Sequence, residues 1–248
     1  MQLSRVVWLV VIVAVVLAGC GTVGPVKPLK KALPKAVDNL ALRQLGTAMV
    51  LSWEAPTKNQ DESPATDLAG FAIYRASYDA ANGCPQCREP KKLLRKIDLA
   101  WYRSSHPDSK RVYLWDEDID RVSGYRYKVV PYNSGGEYGA AATVYRCSYP
   151  LPPPPRQVVA SALDRQVRLR WQAAAQVFGY NVYRCGADGT FTPWPLNHRV
   201  LHQLGFDDFQ VENGHSYTYA VRSVVNQAGV RVESALSTAI TATPHRPE

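Results

Sequence analysis

Apolar and polar residues alternate in short stretches along this chain, and turn residues punctuate them. Met49, Leu51 and Trp53 alternate with Val50 and Ser52; Val167, Leu169 and Trp171 alternate with Arg168 and Arg170. A period of two is the signature of a half-buried strand, because successive side chains on a strand point to opposite faces. No amphipathic helical run of three or more turns stands out, so the pattern predicts an all-β protein. Phe71 with Ile73, and Tyr180 with Val182, supply a second inward-facing strand in each half. The expected cores therefore hold Trp53 and Trp171 as buried side chains, not as ligand platforms.

The order of these elements repeats. Met49-Val50-Leu51-Ser52-Trp53 precedes Gly70-Phe71-Ala72-Ile73-Tyr74-Arg75, and Val167-Arg168-Leu169-Arg170-Trp171 precedes Gly179-Tyr180-Asn181-Val182-Tyr183-Arg184. Asp116-Glu117-Asp118 then precedes Tyr125-Arg126-Tyr127-Lys128-Val129, matched by Asp207-Asp208 before Tyr217-Thr218-Tyr219-Ala220-Val221. Between the copies lies Pro150-Leu151-Pro152-Pro153-Pro154-Pro155, which cannot be a central strand and stiffens a junction. These signals divide the body into residues 37–149, a linker 150–155, and residues 156–244, each copy the size of one β-sandwich.

The repeated motifs resemble the fibronectin type III family. The resemblance implies two tandem immunoglobulin-like sandwiches, with Trp53 and Trp171 on strand B. It gives the Gly-aromatic-x-aliphatic patterns to strand C and the Tyr-x-aromatic-x-Val patterns to strand F. It also makes Tyr125 and Tyr217 the tyrosine-corner residues. The first copy departs from the pattern by a long stretch between Ala76 and Arg111.

The N-terminus changes the picture of where these modules sit. Arg5 precedes an apolar run, Val6 to Ala18, that ends at Gly19-Cys20. The run is shorter than the roughly 20 residues a spanning helix needs and fits a signal peptide, residues 1–19. Leu17-Ala18-Gly19-Cys20 resembles the lipobox of bacterial lipoproteins, which implies lipidation at Cys20. Gly21 after it resembles the outer-membrane default of Gram-negative lipoproteins. Residues 20–36 read as a lipidated tether. Its prolines keep it extended, and Lys27, Lys30, Lys31 and Lys35 either suit an anionic membrane surface or only keep it soluble.

The charge, +8 from 29 basic and 21 acidic residues, is spread along the chain rather than gathered in a stripe. Together with export, this sets nucleic acid aside as a partner. Polyanionic lipid or glycan suits the charge better.

The candidate chemistry is sparse. Cys84-Pro85-Gln86-Cys87 is a C-x-x-C without the second ligand pair a zinc ribbon needs. In an oxidising compartment a disulfide is the default. Family topology implies that Cys84, Cys87 and Cys147 lie at one pole of the first sandwich. A structural disulfide within that trio, a metal or redox role, and unpaired thiols all remain open. His198 and His202 read as surface histidines. Asp116, Glu117, Asp118 and Asp120 lack the glycine and terminal glutamate of a calcium loop and read as a solvated corner. No nucleophile elbow, phosphate-binding loop or dinucleotide fingerprint occurs, so no catalytic residue, metal or cofactor is expected.

The functional expectation is a non-enzymatic, membrane-anchored binding or scaffolding lipoprotein of the cell envelope with a protein partner. A glycan-binding or adhesion protein is the alternative, and an envelope thiol or metal-binding protein a minor one. The expected partner face lies on strands C and F of the first module. There Tyr74, Arg126, Lys128 and Tyr132 alternate away from the core, and tyrosine and arginine are enriched at interface hot spots. Tyr183 and Arg222 mark the same face of the second module, which is expected to matter less. The proline linker is expected to couple the modules only loosely.

Overall fold

The computed structural model describes residues 32–107, 109–186, 189–227 and 229–247. The expected signal peptide, the expected lipidation site Cys20 and residues 20–31 of the expected tether lie outside the described residues.

The first sandwich is built from β1 (Asp38–Leu45), β2 (Ala48–Glu54), β3 (Leu68–Asp79), β4 (Lys92–Asp98), β5 (Val112–Asp116), β6 (Ser123–Asn133) and β7 (Ala142–Cys147). One sheet runs β1-β2-β5 and the other β4-β3-β6-β7. A short helix, α1 (Leu99–Ser105), follows β4. Its first turn is capped by the Asp98 carboxylate, which accepts from the Trp101 amide at 2.8 Å.

The second sandwich repeats the plan with β8 (Arg156–Leu163), β9 (Gln166–Gln172), β10 (Gly179–Arg184), β11 (Gly205–Asp208), β12 (Tyr217–Gln227), β13 (Val230–Glu233) and β14 (Ile240–Ala242). Its sheets run β11-β9-β8 and β10-β12-β13, with β14 also paired to β12. The last strand is thus split. The Ser234 and Ser237 hydroxyls accept from the Ser223 and Val221 amides, each at 3.0 Å, and keep the β12 edge satisfied across the break.

The alternation does what it predicts. Trp53 and Trp171 are buried, each edge-on to an aromatic ring of strand C: Phe71 at 5.4 Å and Tyr180 at 5.5 Å between centroids. Both tyrosine corners form. The Tyr125 hydroxyl accepts from the Asp120 amide at 2.7 Å, and the Tyr217 hydroxyl from the Glu212 amide at 3.0 Å. Even the irregularities repeat. The first strand of each sandwich slips register near its start, where Asn39 and Gln157 adopt φ of +50° and +48°.

The two sandwiches share a sheet. β13 of the second pairs in parallel with β1 of the first, Gln44 opposite Val232 and Leu45 opposite Glu233. The order β10-β12-β13-β1-β2-β5 therefore crosses the module boundary without a break. The β1–β2 turn reaches over the seam: Gly46, at φ +59°, donates its amide to the Glu233 carbonyl at 3.0 Å. A Cβ at this position would meet the Arg222 guanidinium and the Ala235 backbone, so glycine fits on both counts. Gln44 exchanges two hydrogen bonds of 2.8 Å with the Tyr149 backbone just before the linker. Within the linker, the Pro153 carbonyl accepts from the Ser223 hydroxyl. The expectation of loose coupling is corrected. The prolines do not hold two modules apart; their carbonyls dock on β12 while backbone pairing joins the modules beside them.

Candidate functional site

The expected partner residues come together, but not on an open surface. In the β3–β6 register Tyr74 lies opposite Lys128 and Gly70 opposite Tyr132. The Lys128 ammonium sits 5.1 Å from the Tyr74 ring centre. Across them runs the loop between β3 and β4. The Arg126 guanidinium donates to the Gln86 and Arg88 carbonyls, both at 3.0 Å, and the Lys128 ammonium pairs with Glu89 at 2.6 Å. Only 15 % of the Arg126 side chain and 21 % of the Lys128 side chain stay exposed. Hydrogen bonding to Lys128 holds the Glu89 carboxyl below its ordinary range.

Tyr132 is 8 % exposed, and its hydroxyl donates to the Ile97 carbonyl at 3.2 Å. Its ring lies over the gap left by Gly70, where a Cβ would fall 2.5 Å from the hydroxyl oxygen. The Lys96 ammonium covers it at 4.3 Å. The open face predicted for Tyr74, Arg126, Lys128 and Tyr132 is therefore corrected to a face covered by the chain's own insertion. The sequence signal was the length of that insertion, which needs a place to lie.

The covering loop is closed by a disulfide between Cys84 and Cys87, with Cα atoms 5.3 Å apart. Cys147 takes no part in it. Its thiol sits 3.6 Å from the Tyr78 hydroxyl and 3.9 Å from the Ala80 carbonyl, at the base of the same loop. Among the described residues no group of three or more histidine, cysteine, aspartate or glutamate side chains could hold a metal ion. The ring of His202, one of the two surface histidines, contacts the Phe178 carbonyl at 3.0 Å.

The same face of the second sandwich is covered too, by the first. Tyr183 and Arg222 point away from the core yet are 1 % and 6 % exposed. The Tyr183 hydroxyl donates to Glu233 at 2.6 Å and the Asn181 amide at 2.9 Å; Arg43, from β1, pairs with the same carboxylate at 2.8 Å. Burial, then the Glu233 charge, raises the Tyr183 phenol well above its ordinary value. The face expected to matter less is the one on which the modules meet.

The acidic run is likewise only partly a solvated corner. Asp116 is buried, accepting from the Arg75 guanidinium at 2.8 Å and the Tyr127 hydroxyl at 2.6 Å. Asp208 repeats this with Arg184 at 2.8 Å and Tyr219 at 3.0 Å. In both copies the arginine also donates to the carbonyl two residues beyond the aspartate, Asp118 or Gln210. It lies over the corner tyrosine as well, at 5.6 and 5.3 Å. Burial, helped by the carboxylate, raises the Tyr127 and Tyr219 phenols. These groups tie β3, β5 and β6 together in the first sandwich and β10, β11 and β12 in the second. Asp118 itself is exposed, with Arg75 holding its carboxyl low.

One concave surface was not expected. A cavity of about 520 Å³ lies between the end of α1 with the segment leading into β5 and the second sandwich's segment ahead of Pro195. His106, Tyr113 and Trp194 give it aromatic walls, and Arg111 and Lys110 give it cations. His106 stacks on Tyr102 at 4.3 Å and meets Tyr113 edge-on at 5.2 Å. The Arg111 guanidinium lies 5.6 Å from the Trp194 ring centre, held from behind by the Asn39 carbonyl. Flat apolar walls beside fixed donors suit a sugar ring or an aromatic side chain. The only hint in the sequence is Pro193-Trp194-Pro195, a tryptophan off the strand pattern.

Comparison with known proteins bears on the fold. Residues 155–242 match the family model of the fibronectin type III domain described as the SaeA third domain. Among solved structures, a Fn3-like protein from Clostridium thermocellum is 26 % identical over 40 % of this chain and 97 % of its own, with a TM-score of 0.32. The FN1–FN3 domains of chicken CNTN1 are 14 % identical over 86 % of this chain and 69 % of theirs, with a TM-score of 0.33. No curated protein matches the chain. The strand order and the paired tyrosine corners make the chain a nearly all-β protein of two sandwiches, and the family match makes the second of them similar to a fibronectin type III domain.

Proposed function

We propose that this chain is a non-enzymatic scaffold of the cell envelope, anchored through a lipid on Cys20, that holds one fixed two-module body for a protein partner. The supporting observation is the shared sheet. Backbone pairing between β1 and β13 and the Arg43–Glu233 ion pair remove the hinge freedom that tandem modules otherwise have. A rigid body presents its surfaces with little ordering cost on binding, which suits a scaffold. Fibronectin type III-like domains commonly serve as binding or scaffolding modules; that is an argument from fold alone. The test is recovery of partners by the acylated protein from solubilised envelope, compared with Arg43→Glu, which puts two like charges at the seam. Loss of a protein partner on opening the seam supports the reading. Recovery that ignores the seam variant contradicts it.

A glycan-binding reading is favoured by one observation, the aromatic cavity with Tyr113 and Trp194. Trp194→Ala should then abolish retention on envelope polysaccharide while leaving the unfolding midpoint in place. Retention unchanged by the substitution removes this reading.

A further inference from the structure

A smaller cavity, about 310 Å³, opens at the seam itself. Arg43 on β1 and Arg146 on β7 line it from the first sandwich; His198, Arg231 and Glu233 line it from the second. Three guanidinium groups thus share one space with one carboxylate, an excess of two positive charges at neutral pH. The carboxylate is already engaged by Arg43, Asn181 and Tyr183. Arg146 donates to the Arg231 carbonyl at 3.3 Å, and among the described residues neither Arg146 nor Arg231 pairs with an acid. Burial lowers the Arg146 guanidinium's affinity for its proton, and the Arg43 charge adds to this. Behind the cavity wall, Arg222 is a further buried cation, stacked 5.5 Å from the Tyr183 ring centre with its Nε unpartnered among the described residues.

Arg146 is held partly out of water with no acid of its own, Arg231 reaches the cavity from its exposed side, and guanidinium forks match phosphate oxygens in pairs. We propose that the seam cavity is an oxyanion site for a doubly charged phosphate group, inorganic phosphate or a phosphate monoester, held by Arg146 and Arg231 with Arg43 beside them. A phosphate monoester carries about −1.5 to −2 at neutral pH, the charge that balances the cavity. Because its ligands come from both sandwiches, an occupied site stabilises the seam by mass action.

The experiment is calorimetric titration of the full-length protein in non-ionic detergent with inorganic phosphate, at constant ionic strength against chloride, alongside thermal unfolding. Saturable binding and a rise in melting temperature are expected. Arg146→Gln should weaken binding by about tenfold or more, the usual effect of losing a charged hydrogen bond. Arg95→Gln, an exposed arginine on β4 away from the cavity, should not. If Arg146→Gln fails to fold, Arg231→Gln, which alters an exposed side chain, takes its place. Phosphate also stabilises proteins generally by exclusion from their surface. An equal rise in the arginine variants, or no saturable heat, overturns the site. Short-chain phosphatidic acid against glycerol 3-phosphate separates the sources: tighter binding of the first assigns a lipid headgroup, equal binding a soluble monoester.

Discussion

At the scale of single residues, the buried aspartates of the two sandwiches are held in the same way. Asp116 and Asp208 each receive an arginine and a tyrosine in the same geometry. Replacing a buried pair by apolar residues is often harmless, but deleting one partner strands the other. Asp116→Ala leaves the buried Tyr127 hydroxyl without its acceptor and the Arg75 side chain, 11 % exposed, with only the exposed Asp118 carboxylate, and should cost about 3 kcal/mol by urea unfolding. Asp118→Ala, whose carboxylate is 86 % exposed, should leave the midpoint nearly unchanged. Equal effects of the two changes would mean that the trio does not lock the strands. Trp53→Ala and Trp171→Ala each remove a buried ring and should also cost about 3–5 kcal/mol. Native-state quenching of either tryptophan to the extent of a free one would contradict its placement.

At the scale of elements, the loop between β3 and β4 lies across its sheet through polar contacts. Its hold is polar: carbonyls of Gln86 and Arg88 on Arg126, and Glu89 on Lys128. Glu89 has a carboxyl depressed in the folded state by its hydrogen bond to Lys128. A depressed carboxyl contributes stability above its unfolded value, about 4.3, and loses it as pH falls through the folded value. The Glu89 side-chain carboxyl, followed by NMR, should therefore titrate below the ordinary glutamate midpoint of about 4.3, and Lys128→Ala should move it back up. An ordinary midpoint in both proteins would mean that the clamp is not closed in solution.

The elements show what the sequence carries and what it does not. Strands β2, β3, β6, β9, β10 and β12 were legible because local alternation sets them, while their pairing and the tyrosine corners were legible only through the resemblance that the repeated motifs carry. The buried trio was half legible. Tyr74-Arg75 and Tyr183-Arg184 repeat in sequence, and so do the aspartates, but nothing along one strand says that Arg75 reaches across to Asp116. The coverings were not legible. Strand alternation tells inward from outward, not solvent from neighbour, so Arg126 and Lys128 read as open surface and Tyr183 and Arg222 as a weaker copy of it. Whether an outward residue is free depends on where a long loop or a second module comes to rest, and that is a contact between distant parts of the chain.

At the scale of the whole molecule, two sandwiches form one body through a shared sheet, and the proposed anchor at Cys20 is tested separately. Cys20→Ser should leave an unprocessed, unacylated precursor; maturation and membrane partitioning like the parent's would remove the anchor. The central claim is the joint, where an edge strand of one sandwich finds its hydrogen-bonding partner in the other. Unpaired edges invite association, and here the chain satisfies two of its own edges against each other. The most direct measurement is hydrogen exchange at the Gly46 amide, which sits in a turn of the first sandwich and donates to the Glu233 carbonyl of the second at 3.0 Å. With the seam closed, this amide should exchange only on global unfolding, as slowly as the core amides of β2. Exchange at the rate of an open turn, while β2 stays protected, would contradict the fixed joint.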